Sequence, residues 1–339
     1  MLPWLPPLLC ALAAYLTCRA LTPWVMRLAP HIGAIDVPRD RRRMHTRPIP
    51  RTGGLSLFGA LLLCVGAVQG GGDRLVALLW GATLVVLLGL LDDVYRLPAP
   101  LKLSVQIIAA ATALGNGGGW DALPLGATAL PLGIWRLPLG ALWTVLLITA
   151  HTMIDGRDGL AASVSVLEAA GLSVLLMLQG QQTFAMLSLA LAGACLGFLH
   201  DNRHPASVFM GDTGSQLLGF SLGVLSQMLE PQPLGTLAAL VPLLLFALPL
   251  SDLGFAVLRR LWRGQSPFAA DRGHWHHRLV DGGMSQRQSC TWLTLLCAVS
   301  VAAALLVGRE ETYPYAVYTL LVAVSLVMLL ATLRQKVRG

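Results

Sequence analysis

Residues 74–96 read RLVALLWGATLVVLLGLLDDVYR. From Leu75 to Leu91 no side chain carries a charge, and at about 1.5 Å of rise per residue such a run nearly spans the hydrocarbon core of a bilayer as a helix. Two acids, Asp92 and Asp93, follow at once. Carboxylates are costly beside hydrocarbon, so acids at the end of such a run suggest a polar site at a membrane face. The arrangement recurs in MIDGRDGL (153–160), with Asp155 and Asp158, and in VFMGDTGS (208–215), with Asp212. Each lies at an end of a long apolar stretch. The chain is therefore read as a membrane protein whose acids share one polar site.

Composition supports this. Of 339 residues, 55% are hydrophobic and 12% charged, with a mean hydropathy of +0.67; a soluble domain carries about twice that charged fraction. The predicted fold is all-α and polytopic, one membrane-embedded domain over residues 1–339. About eleven transmembrane helices are expected, near 3–24, 53–69, 74–91, 102–116, 138–154, 159–178, 183–200, 214–229, 234–258, 290–307 and 313–333. Pro242 and Pro249 interrupt the ninth, where a proline removes a backbone hydrogen bond and kinks the helix. The apolar segment 116–137 is either a short hairpin or an interfacial loop. The cysteines, Cys10, Cys18, Cys64, Cys195, Cys290 and Cys297, all fall in apolar runs without CxxC spacing. They indicate neither a disulfide framework nor a zinc knuckle.

Alternating loops place Arg39, Arg41, Arg42, Arg43, Arg47 and Arg51 on one face with Arg259, Arg260, Arg263, Arg272, Arg278, Arg287, Arg334, Lys336 and Arg338. The other face keeps Arg74, Arg136 and Arg309. The basic face is then cytoplasmic, with the N-terminus outside and the C-terminus inside. Every acidic motif falls on that same face.

The motifs carry different chemistry. Adjacent helical residues point about 100° apart, so Asp92 and Asp93 have different tasks: one faces a metal or nucleophile while the other holds Lys102 or backbone. A pair of interfacial acids offsetting Arg96 and Lys102 is the plainer alternative. Asp155 and Asp158 share a face if their turn is helical; otherwise Asp158 caps the next helix. Asp212 opens a helix whose free N–H groups suit phosphate. It either holds Mg²⁺, which takes one or two carboxylates and completes its shell with water and phosphate, or simply caps the helix. Asn202, Arg203 and His204 add donors to the same loop. In SPFAADRGHWHHRLVDGGMSQRQ (266–288), His274, His276 and His277 with Asp271, Arg272 and Arg278 read as an anion-binding lid for phosphate or sugar hydroxyls, with a solvated loop as the plainer alternative. Zinc is disfavoured because cysteines and HExxH spacing are missing nearby. The cationic run DVPRDRRRMHTRPIPRTGG (36–54) serves topology and anionic headgroups, whether or not it also covers the site.

Taken in order, the motifs at 36–54, 89–106 (GLLDDVYRLPAPLKLSVQ), 153–160, 202–220 (NRHPASVFMGDTGSQLLGF) and 270–288 resemble the polyprenyl-phosphate N-acetylhexosamine-1-phosphate transferases. The HxHH loop is similar to the bacterial undecaprenyl-phosphate N-acetylglucosamine-1-phosphate transferase branch, not to the triple-histidine branch that transfers phospho-N-acetylmuramoyl-pentapeptide. The resemblance implies a Mg²⁺-dependent enzyme (Mn²⁺ as substitute) of the bacterial cytoplasmic membrane. It would convert UDP-N-acetylglucosamine and undecaprenyl phosphate to undecaprenyl-diphospho-N-acetylglucosamine and UMP, beginning teichoic acid or a related glycopolymer. Carried over by motif, Asp212 is the metal ligand and Asp92 and Asp93 the catalytic pair. Lys102 contacts phosphate, Asp155 and Asp158 line the nucleotide or diphosphate pocket, and His274, His276 and His277 contact diphosphate or sugar. Asn202 and Arg278 complete the expected substrate contacts. Membrane lipids and a second copy of the chain are implied partners; nucleic acid is not.

The chain departs from the family's NAxNxxDGxDGL stretch, with Thr149, Thr152 and Arg157 in place of two asparagines and a small apolar residue, and Ser207 stands where a basic residue is common. Other readings are a different UDP-N-acetylhexosamine, the muramoyl-pentapeptide donor, or a catalytically weakened partner protein. A transporter predicts acids near the bilayer midplane and inverted repeats, and the sequence has neither.

Overall fold

The computed structural model describes residues 3–37, 47–68, 71–125, 128–230, 240–266 and 273–308. Twelve α-helices lie among them: α1 (Leu5–Ile32), α2 (Gly53–Ala67), α3 (Gly72–Tyr95), α4 (Ala99–Gly115), α5 (Arg136–Ile154), α6 (Leu160–Leu178), α7 (Gln182–Asn202), α8 (Gly211–Ser226), α9 (Leu240–Leu245), α10 (Ala247–Trp262), α11 (Trp275–Asp281) and α12 (Gln286–Val307). Among the described residues six segments are long and apolar enough to cross a membrane: α1, α3, α6, α7, α12 and the stretch Gly133–Ile154 that ends in α5. Two shorter apolar helices, Gly53–Gly66 and Ala99–Gly115, accompany them. The expected span at 313–333, residues 234–239 of the ninth span, Arg39, Arg41, Arg42, Arg43, Asp271, Arg272 and the tail cations lie outside the described residues.

The molecule is organised around α8. Every residue of this helix is buried except Asp212 in its first turn. Gly214, Gly219, Gly223, Ser215 and Ser221 give it a thin profile, and small residues let neighbouring membrane helices approach closely. Helices α5, α3 and α2 pack most extensively on it, α6, α4 and α7 touch it more lightly, and α1 packs on α7 and α2. A buried pair ties α5 to α6, with His151 Nε2 2.8 Å from Glu168 Oε2.

Three local outcomes differ from expectation or decide it. Helix α1 continues to Ile32 instead of stopping near residue 24, and Gly33 ends it in a left-handed conformation. The ninth span is broken at Phe246, between α9 and α10. Pro249 has no N–H to give the Leu245 carbonyl, so α9 stops at Leu245 and α10 starts at Ala247 with Pro249 in its first turn, where no intrahelical donor is needed. Within 116–137, β3 (Ala122–Leu125) pairs antiparallel with β4 (Thr128–Pro131), and a 3₁₀ turn follows at Gly133–Trp135. At the other end, β1 (Ile35–Asp36) pairs with β2 (Ile49–Pro50), bringing Arg51 to the start of α8.

Candidate active site

The C-termini of α3 and α5 and the N-termini of α4, α6 and α8 meet at one end of the bundle, and α11 sits beside them. Entry to α8 is fixed by backbone. Phe209 N–H donates to the Pro50 carbonyl at 2.8 Å, and Gly53 and Gly54 donate to the carbonyls of Phe209 and Met210. Gly211 takes φ +71°, where a side chain is strained, and a Cβ there would strike the Arg51 carbonyl and the Asp93 carboxylate. Only glycine fits this corner.

The two neighbouring acids of α3 divide as their 100° separation implies. Asp93 turns inward, and its side chain has no exposed surface. Its Oδ1 accepts from Asp212 N–H at 3.0 Å and its Oδ2 from Thr213 N–H and Oγ1 at 3.0 and 2.8 Å. It caps α8 from another helix, satisfying N–H groups the helix cannot pair itself. Arg51 Nε stands 3.5 Å from its Oδ1. Asp92 instead reaches the opening. Its Oδ1 accepts from Leu97 N–H and its Oδ2 from Lys102 Nζ at 2.8 Å. Lys102 Nζ is also 3.5 Å from Asp212 Oδ2, and the Asp92 and Asp212 carboxylates lie within hydrogen-bonding range of each other.

Asp155, just past the end of α5, completes the acidic patch. Its carboxylate makes no hydrogen bond to another described residue. Burial first, then the charges of Asp212, Asp93 and Asp158, hold its carboxyl well above the ordinary carboxylate range, with Arg51 opposing. Carboxylates gathered with so little cationic compensation suit a bound cation. The donors are hard oxygens, appropriate to Mg²⁺ or Mn²⁺. Among the described residues no three acidic, histidine or cysteine side chains form a ready-made cage.

Asp158 and Asn202 are structural ties. Asp158 Oδ2 accepts from His204 Nδ1 at 2.8 Å and from Ala206 N–H at 3.2 Å. Buried Asn202 accepts from Gly159 N–H and donates to the Val208 carbonyl. Together they fasten the 203–210 loop to the turn between α5 and α6. Thr149 and Thr152, at the asparagine positions of the family pattern, donate their hydroxyls to Val145 and Ile148 of their own helix. Neither offers an amide to the site.

The histidines bracket that turn. His274 Nδ1 lies 2.8 Å from Asp252 Oδ2, and Asp252 Oδ1 accepts from Trp275 N–H at 2.8 Å, capping α11. His276 is buried, stacks parallel to His274 with centroids 5.8 Å apart, and aims Nε2 at Gly156. Burial and then the cations or potential cations His277, His274 and Arg157 push its pKa down to about 2, so it is neutral. His277 Nδ1 meets Arg157 Nη2 at 3.1 Å. Arg278 lies over the Trp275 ring. The expected lid is thus a short helix seated in the site.

Two residues at the site were not singled out in the sequence: Arg51, submerged in a cationic run, and Asp252. The latter carried a signal, since an acid inside an apolar span is a functional candidate by default.

A family model for glycosyl transferase family 4 matches residues 75–230, which include Asp92, Lys102, Asp155, Asp158 and Asp212. The chain is 34% identical over 290 residues to a protein of Bacillus subtilis named probable undecaprenyl-phosphate N-acetylglucosaminyl 1-phosphate transferase, covering 84% of this chain and 80% of the relative. It is 35% identical over 302 residues to the decaprenyl-phosphate N-acetylglucosaminephosphotransferase of Mycolicibacterium smegmatis, covering 79% and 74%. Against the undecaprenyl-phosphate alpha-N-acetylglucosaminyl 1-phosphate transferase of Escherichia coli it is 28% identical over 307 residues, covering 85% and 80%.

Proposed function

The chain belongs to glycosyl transferase family 4, as a polyprenyl-phosphate sugar-1-phosphate transferase of the membrane, and on that footing we propose its reaction: N-acetylglucosamine 1-phosphate passes from UDP-N-acetylglucosamine to undecaprenyl phosphate, releasing UMP. The observation that carries this is the cluster of Asp92, Lys102 and Asp212, with Asp155 alongside, at the mouth of the bundle. The printed names of the relatives support the acceptor and the sugar. The basic loops support a cytoplasmic opening, with the N-terminus outside and the C-terminus inside, and the product would begin a cell-envelope glycopolymer.

Two anions must meet in this reaction, the lipid phosphate and the pyrophosphate of the donor. Asp212, with Asp92 or Asp155 beside it, would hold Mg²⁺, which supplies charge neutralisation at the phosphates when bound. Lys102, pinned between Asp92 and Asp212, offers the first fixed cation to an incoming phosphate. Phosphoryl transfer depends chiefly on alignment and charge stabilisation. Both oxygens of Asp92 already accept hydrogen bonds, which suits a group that orients Lys102 toward the phosphates better than one that attacks phosphorus. The catalytic role expected of both acids falls to Asp92; Asp93 acts by holding α8.

Purified protein with Mg²⁺, undecaprenyl phosphate and a panel of UDP-sugars tests the reading. UMP release with UDP-N-acetylglucosamine, above all other UDP-sugars, is expected. Preference for another UDP-N-acetylhexosamine would reassign the donor, and no turnover by folded protein with any of them would overturn the activity.

A further inference from the structure

The turn Asp155-Gly156-Arg157-Asp158 carries a cation that the proposed chemistry does not use. Arg157 sits between two acids, and a second cation, Arg51, already acts on Asp155. The Arg157 guanidinium reaches His277 on α11, with Nη2 3.1 Å from Nδ1. One residue earlier, Gly156 lies so close to His276 that a Cβ would fall 2.5 Å from its Nε2. The turn and the histidine helix are therefore joined at two adjacent points. One is a close steric fit, the other a polar contact.

We propose that Arg157 is a positioning residue for the sugar-nucleotide half of the site, latching α11 to the turn and setting the tautomer of His277. An arginine only donates, so Nδ1 of His277 must accept and its proton resides on Nε2. The latch thereby makes His277 Nε2 a hydrogen-bond donor, the form suited to an anionic or hydroxyl oxygen of the donor substrate. Fixing a histidine's tautomer through the partner of its other nitrogen is a general device for orienting imidazoles. Asp252 orients His274 in the reverse sense, its carboxylate accepting from Nδ1. Two of the three histidines are thus held from behind, by groups on different elements.

The substrate half of this inference rests on the reaction proposed above; the latch itself does not. Backbone hydrogen exchange over residues 274–281 in substrate-free protein, comparing wild type with Arg157→Leu and Arg157→Lys, reads the latch directly. Losing a charge-assisted hydrogen bond should speed exchange in Arg157→Leu about tenfold or more, with α6 unchanged as a control on folding and Arg157→Lys nearer wild type. Unchanged exchange at 274–281 in Arg157→Leu overturns the proposal. In turnover, Arg157→Leu should raise the KM for the UDP-sugar about tenfold and leave that for undecaprenyl phosphate within about twofold. Combining it with His277→Ala should cost little beyond His277→Ala alone. Strict additivity, or a shift confined to the lipid acceptor, refutes the donor-side role. If wild type turns over no UDP-sugar, the reaction fails, while the exchange experiment still decides the latch.

Discussion

Asp92 and Asp93 show how much one step along a helix changes. Asp93 is spent on three donors of α8, so Asp93→Ala leaves buried N–H groups unpaired, at about 1–3 kcal/mol. It should lower the thermal midpoint and with it the yield of folded protein. Asp92→Ala should keep a near-wild-type midpoint and lose about 10²–10⁴-fold in kcat; thermal unfolding and UMP release on the same preparations separate the two. Asp155 makes a different prediction, about pH. Its folded carboxyl titrates well above the ordinary range, so the folded state keeps a proton that the unfolded chain gives up near pH 3.9 or so. Metal-free protein therefore loses stability as pH rises from there through the folded value. Asp155→Asn has no such proton to lose. At neutral pH without Mg²⁺ it should melt higher than wild type, with the gap closing toward pH 4, and Mg²⁺ should raise the wild-type midpoint more than the variant's. A variant that melts no higher than wild type in metal-free neutral buffer would contradict this.

At the scale of elements, the site is assembled by helix ends, and most of them were legible. Acids bounding the apolar runs marked where α3 and α5 would end and where α8 would begin, because a carboxylate cannot be carried far into hydrocarbon. The break at Phe246 followed from Pro249. Other features were not readable. The short helix α11 lies in a segment whose composition suggests only a polar loop, and it is held by a contact from distant Asp252. Which of Asp92 and Asp93 faces the site is equally hidden, since spacing shows that they diverge and not where α8 will be. Arg51 was obscured by its neighbours: one structural arginine cannot be told from a topogenic run by charge alone. The Asp252–α11 tie gives its own prediction. Asp252→Ala frees the His274 ring and uncaps the helix, so it should raise the KM for the UDP-sugar severalfold while the KM for undecaprenyl phosphate holds. Equal effects on both substrates would show that Asp252 supports the bundle in general and not the histidine helix.

Across the whole molecule, residues more than a hundred positions apart meet because α8 is thin enough to be enclosed and buries everything but its one acid. The surrounding helices bring their polar ends to that acid. The loops at 49–54, 155–160 and 203–210 then lock the arrangement through backbone and carboxylate contacts. The convergence predicts a cation site built from separate helices, and Mn²⁺ binding followed by electron paramagnetic resonance, with UDP-N-acetylglucosamine present, tests it most directly. Wild type should hold one Mn²⁺ per chain, Asp212→Asn should lose it, and Asp92→Asn and Asp155→Asn should weaken it. Wild-type affinity for Mn²⁺ in folded Asp212→Asn would contradict a shared site at this end of the bundle.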